Sequence, residues 1–217
     1  MMMPTQGTYE SAGGAKRGLK WISGGFSLFM KQPGRFAIVG LALYAVAAVL
    51  SGLGAIGSGI ATMAGVLAAG SLVRACQAME HGTDPVLAAR NAVRAAPLFM
   101  LGLLAAGLGI GLALLGSVMP RGMLILVTIP LMMGLWLAPG LVVIKGATPL
   151  QALRLSLIAA LSNIVPFMTL YLLASIAIFI GGKLQGCGLI FVYPMVMCTS
   201  YMAYRDIVEA RPTPPPV

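Results

Sequence analysis

The chain of 217 residues is 59% hydrophobic and 9% charged, with a formal net charge of +9 and a mean hydropathy of +0.96. Soluble domains carry about 25% charged residues, so this composition excludes a water-exposed globule. It also argues against a nucleic-acid binder, because the basic residues sit beside the ends of apolar runs and form no single stripe.

Residues 1–14 are polar and lack the apolar core of a cleavable signal peptide, which predicts a disordered tail. An amphipathic segment follows, with Leu19, Ile22, Phe26 and Phe29 at helical spacing and Lys16, Arg17, Lys20 and Lys31 elsewhere. No charge occurs in 36–73, 95–120, 122–144, 155–182 or 184–204. Apolar runs of about 18 residues or more can span a bilayer. Backbone groups in hydrocarbon need internal partners, so spans are helices or closed barrels, and these runs lack the two-residue alternation of barrel strands. The first run is too long for one span, and Gly52-x-Gly54-x-x-Gly57-Ser58-Gly59 offers a turn. This predicts span 1 over 36–53 and span 2 over 58–79. Span 3 follows over 97–118, a turn at Pro120-Arg121-Gly122, and span 4 over 123–144. Span 5 covers 166–180, Gly181-Gly182-Lys183 turns the chain, and span 6 covers 189–204. The proline-rich stretch 211–217 ends the chain as a second tail.

One unit is written twice. Gly82-Thr83-Asp84-Pro85-x-x-Ala88-x-Arg90 recurs 64 residues later as Gly146-Ala147-Thr148-Pro149-x-x-Ala152-x-Arg154. Thr83/Asp84 before Pro85, and Thr148 before Pro149, supply an N-cap and a proline at the first helical position. In the helices so begun, Val86, Ala89, Val93 and Ala96 form one apolar stripe, and Leu150, Leu153, Leu157 and Leu161 another. Phe26-x-x-Phe29-Met30-x-x-Pro33 is a worn third copy. The expected fold is therefore an all-α membrane protein of six transmembrane helices. These form three parallel modules (about 15–81, 82–145 and 146–210), each an interfacial amphipathic helix plus a two-span hairpin, within one membrane domain over 15–210. Of the fourteen Lys and Arg residues, all but Arg121 and Lys183 fall on the side that holds both termini. The positive-inside rule makes that side cytoplasmic.

Several of these residues resemble a known pattern. The motifs are Trp21-x-x-Gly24-x-x-x-Leu28-Phe29-x-x-x-Pro33, Leu137-Ala138-Pro139-x-Leu141-Val142, Ala152-x-x-x-Ser156-x-x-Ala159-x-x-x-Asn163-x-x-Pro166-Phe167, and Tyr193-Pro194 through Tyr201-x-x-Tyr204-Arg205-Asp206-Ile207. Together they resemble an uncharacterised family of bacterial six-span inner-membrane proteins, over residues 19–209. YciC-like proteins and phosphodiesterase membrane domains are similar in layout. The resemblance implies six helices and a bacterial inner membrane, and it implies no reaction.

Little in the residues points to chemistry. The acidic residues are Glu10, Glu80, Asp84, Asp206 and Glu209, none of them deep in a span, whereas ion-coupled carriers usually keep an ionisable group there. His81 is a lone loop histidine without a catalytic partner. Cys76, Cys187 and Cys198 show neither disulfide-framework nor zinc spacing. Met195, Cys198 and Met202 share a helical face that could suit monovalent copper, but methionine is common packing material in this chain. The small-residue rows Ala61/Gly65/Ala69 and Gly107/Gly111 read as close helix contacts, within the bundle or between copies. Trp136, Pro139, Tyr201 and Tyr204 approach the cytoplasmic boundary, where aromatic belts are normal. The candidate contact residues are Arg74, Arg90, Arg94, Arg154 and Asn163. Arg74 either snorkels to the interface or anchors a lipid phosphate or partner carboxylate. Asn163 either caps backbone freed by Pro166, or bonds a neighbouring helix or ligand.

The expected function is a non-enzymatic assembly, scaffold or envelope-maintenance factor without metal or cofactor. It would act through anionic lipid, a membrane-protein partner or a second copy. The alternative is a permease or lipid transporter with a path between modules.

Overall fold

The computed structural model describes residues 14–183 and 188–209. Among these the chain is all α-helical, without a strand. The helices are α1 (Gly14–Phe29), α2 (Pro33–Leu50), α3 (Gly54–Glu80), α4 (Pro85–Val93), α5 (Ala96–Val118), α6 (Arg121–Trp136), α7 (Ala138–Lys145), α8 (Pro149–Ser162), α9 (Ile164–Lys183) and α10 (Leu189–Tyr204). A short 3₁₀ turn, Ser51–Leu53, joins α2 to α3, and a wider helical turn, Arg205–Glu209, extends α10. Four segments are long and apolar enough to cross a membrane: Pro33–Glu80, Ala96–Val118, Gly122–Lys145 and Ile164–Lys183.

The first of these is folded back on itself. Gly54 takes φ 55°, open to glycine and strained for other residues. Beyond it Gly57 lies against the Leu50 carbonyl, so a Cβ there has no room. The joints after α3 and α7 are built alike. Gly82 (φ 69°) and Gly146 (φ 68°) stop the helices in the left-handed conformation. Asp84 then caps α4 by accepting from the Val86 N–H at 2.9 Å. Before α8 the Thr148 N–H donates to Gln151 Oε1 at 3.3 Å. Pro85 and Pro149 occupy the first turn of the helices they open.

Span 4, expected over 123–144, carries Pro130 and Pro139 as places where it can kink. It breaks at Leu137 into α6 and α7. In an unbroken helix the Leu137 N–H would bond the Met133 carbonyl. Instead Ser156 of α8, fully buried, is inserted between them. Its Oγ accepts from the Leu137 N–H at 3.0 Å and donates to the Met133 carbonyl at 2.9 Å. A side chain entering the ladder next to a proline is a recognised cause of a helix break, and Pro139 stands two residues on. Pro130 and Pro194, by contrast, remain inside α6 and α10.

Close packing rests on small residues. Gly25 of α1 sits on Thr199 of α10, and Gly40 of α2 sits on Ile190 at the other end of α10. Gly18 touches Pro166 of α9, and Gly70 of α3 meets Leu98 of α5. Gly59 and Gly109 bring α3 and α5 together, with Ser58 Oγ donating to the Gly109 carbonyl at 3.3 Å. A Cβ at Gly107 or Gly111 would meet nothing within 4 Å, so this row makes no close contact within the bundle, which leaves contact between copies as its reading. Of the other row, Ala69 is buried and Gly65 accepts from the Tyr193 hydroxyl at 2.7 Å.

Large apolar side chains face outward. Leu19, Phe26 and Met30 of the α1 region, Val86, Leu87 and Val93 of α4, and Leu150, Leu155, Ile158 and Leu161 of α8 are all exposed. The buried faces are instead Gly18/Trp21/Gly25/Leu28 in α1, Ala92 in α4, and Ala152/Ser156/Ala159/Ala160 in α8. Two further expectations shift. Gly181-Gly182-Lys183 is helical as the end of α9 rather than a turn, and Gly14 already belongs to α1. The rest of the expected tails, 1–13 and 211–217, and Cys187 lie outside the described residues.

Candidate functional site

The residues with most chemistry meet where α1 crosses the end of α10. Asp206, in the turn that extends α10, is the centre. Its Oδ2 accepts from Arg17 Nε at 2.5 Å and from Trp21 Nε1 at 2.7 Å. The Arg17 guanidinium lies over the Trp21 ring, 5.7 Å from its centroid, and donates through Nη1 to Asn163 Oδ1 at 2.9 Å. Asn163 in turn donates from Nδ2 to the Ala159 carbonyl at 2.8 Å, closing the end of α8. Its own carbonyl accepts from the Phe167 N–H in the first turn of α9. Trp21 is buried and packs edge-on against Phe167, with centroids 5.6 Å apart.

A second knot lies beside the first. Glu80, the last residue of α3, accepts from the Tyr201 hydroxyl at 2.6 Å and pairs with Arg205. Arg205 and Asp206 are consecutive, so one turn of chain reaches toward α3 with one side chain and α1 with the next. Both ion pairs are partly solvated: side-chain exposure is 37% and 38% for Arg17–Asp206, and 43% and 32% for Arg205–Glu80. Pairs this exposed contribute about 0.2–1 kcal/mol each, so the junction's stability rests mainly on the buried Trp21 and Tyr201 that accompany them. One helical turn inside the Glu80–Tyr201 bond, Cys76 and Cys198 are both fully buried with their sulfurs 3.3 Å apart.

The residues singled out from sequence divide into two groups. Asn163 is in the junction, where it bridges to Arg17 of α1 and closes the end of α8 at the Ala159 carbonyl rather than at backbone freed by Pro166. Arg74 is half-buried on α3 and donates to Gln77 one turn on; it has no carboxylate within reach among the described residues. Arg90, Arg94 and Arg154 are exposed on or beside α4 and α8 and are not drawn together with Asn163. Tyr201 and Tyr204 do not line a lipid-facing belt, since both are buried in the core. Cys198 faces Cys76, and Met202 packs on Gly24, so the sulfur face of α10 is used for packing.

Sequence reasoning passed over Arg17, Trp21, Glu80, Tyr201, Arg205 and Asp206 as a group. The available signal was the set of motifs themselves. Trp21 and Leu137 stand in two motifs, Ser156 and Asn163 in a third, and Tyr201 and Asp206 in a fourth, yet Leu137 pairs with Ser156, and Trp21 and Asn163 meet through Arg17 and Asp206.

Between α6 and α9 lies a small apolar depression of about 10 Å³, lined by Met133, Trp136, Phe167, Met168 and Tyr171. The Trp136 indole N–H is buried there without a hydrogen-bond partner among the described residues. Comparison with protein-family models, with curated proteins and with solved structures finds no match.

Proposed function

We propose that the chain is a six-span protein of the bacterial inner membrane, arranged as three parallel modules with both termini cytoplasmic. It acts without catalysis, as an assembly, scaffold or envelope-maintenance factor that works through lipid and protein contacts at the cytoplasmic leaflet. One observation carries this reading. Each of the short helices α1, α4 and α8 presents exposed large apolar side chains beside exposed basic ones: Lys16 and Lys20 in the first, Arg90 with the following Arg94 in the second, Arg154 in the third. Helices of that kind rest in the head-group region, apolar side toward the acyl chains and cations toward anionic heads. Each Lys or Arg held near an anionic surface contributes about 1 kcal/mol.

The polar junction fits the same reading. Its carboxylates are occupied by Arg17, Trp21, Tyr201 and Arg205, an arrangement that holds the first and last helices together. The test is purification from native membranes in mild detergent. The wild-type protein should carry anionic phospholipid or a stoichiometric protein partner, and the variant R90Q/R94Q/R154Q should lose most of the bound anionic lipid. Recovery of neither lipid nor partner with the wild type contradicts the proposal.

The α6–α9 depression has room for about one water, so it lends no support to a second reading in which lipid is carried along a path between the modules.

A further inference from the structure

We propose that Cys76 and Cys198 are a paired oxidation site, converted to a disulfide by hydroperoxides dissolved in the lipid phase. The two residues stand 122 positions apart on α3 and α10, yet their sulfurs lie 3.3 Å from one another and each is fully buried. Bond formation brings the sulfurs to about 2.05 Å, a closure small enough for side-chain rotation and slight helix movement. Bonds on either side already hold the two helices together, with Tyr193 bonded to the Gly65 carbonyl farther along α3 and Tyr201 bonded to Glu80 one turn away. The thiols therefore meet each other far more often than any other partner.

Burial selects the chemistry. A metal held by two thiolates would place net charge in an apolar core, which is costly. A disulfide is neutral, as are the two thiols it replaces. In the first step one thiol sulfur attacks the distal peroxide oxygen. The O–O bond breaks, an alcohol leaves with the thiol's proton, and a sulfenic acid remains. In the second step the other thiol attacks that sulfur. The S–S bond forms, the S–O bond breaks, and water leaves with the second proton. One hydroperoxide is reduced for each pair oxidised. Burial likewise shuts out bulky charged oxidants such as oxidised glutathione, which would need to bring a disulfide into the packed seam. The product ties α3 to α10 one turn below the Glu80 knot and fixes the contact between the first and last parts of the chain.

The choice of a lipid-phase oxidant rests on the membrane placement proposed above; the pairing of the thiols does not. The experiment uses the full chain carrying Cys187→Ser, in phospholipid nanodiscs, treated either with cumene hydroperoxide or with oxidised glutathione. After denaturation, free thiols are alkylated and the protein is mapped by mass spectrometry without reduction. The expected result is loss of both alkylatable thiols and a Cys76–Cys198 cross-linked peptide with the hydroperoxide, together with a higher Tm that dithiothreitol reverses. Oxidised glutathione should give at least tenfold less cross-link. C76S and C198S in the same background should each give no intramolecular cross-link. Thiols that stay alkylatable, or that advance only to sulfinic acid without pairing, overturn the proposal. Equal cross-linking by both oxidants overturns the lipid-phase selectivity while leaving the pairing intact.

Discussion

Asp206 takes two donors on one oxygen, Arg17 Nε and Trp21 Nε1, and so separates charge from hydrogen bonding by substitution. Asp206→Asn keeps an acceptor for the buried indole and gives up the ion pair, whose exposure limits its worth to about 0.2–1 kcal/mol. Asp206→Ala strands the Trp21 N–H as well, and an orphaned buried donor adds about 1–3 kcal/mol. Unfolding in detergent should therefore rank wild type above the Asn variant and the Asn variant above the Ala variant. Equal losses for both would show that the indole bond is not what the carboxylate supports. Ser156 is a second such position. Ser156→Ala leaves the Leu137 N–H and the Met133 carbonyl unpaired beside Pro139, so a loss of about 1–3 kcal/mol is expected in the same measurement. A neutral outcome would mean that α6 and α7 close into one helix without the hydroxyl.

At the scale of whole helices, packing follows the small residues. A Cβ at Gly25 would stand 2.6 Å from Thr199 Cα, and one at Gly40 would stand 2.7 Å from the Ile190 carbonyl carbon. Backbone cannot retreat as a flexible side chain can, so Gly25→Ala and Gly40→Ala should each destabilise by about 1–3 kcal/mol. Gly107→Ala and Gly111→Ala meet nothing within 4 Å. They should be neutral, or gain up to about 1 kcal/mol from helix propensity. Thermal unfolding of the four variants checks the contrast, and equal losses at all four would contradict the assigned faces. Much of this level could be read from sequence: the helix starts at Pro33, Pro85, Pro97 and Pro149, the cap at Asp84 and the stops at Gly82 and Gly146 are local effects of single residues. Which faces touch could not be read so directly. In water a leucine stripe marks the buried side, but lipid is as apolar as leucine and provides no such drive. Leu150 and Leu161 accordingly face out while Ala152, Ser156 and Ala160 face in. Pro139 marks span 4 as able to kink, whereas the full break at Leu137 also needs Ser156 from another helix, which only the fold brings in. The junction was hidden because Arg17, Glu80, Asn163 and Asp206 are ordinary interface residues until the fold brings them together.

Taken whole, the chain closes on itself at one end. Arg17 and Trp21 near its start are held by Asp206 near its finish, and Glu80 in between is held by Tyr201 and Arg205. Arg90, Arg94 and Arg154 stand exposed on or beside α4 and α8, and the function proposed above assigns them to contacts with lipid or partner. The account's central claim is that the junction and these helices share the cytoplasmic face of a six-span protein. Reporter fusions in bacterial cells test it most directly. A reporter active only in the cytoplasm should work when fused after residues 83, 147 and 210, and one active only in the periplasm should work after residues 56, 121 and 183. A periplasmic signal at 83, 147 or 210, or a cytoplasmic one at 56, 121 or 183, would contradict it.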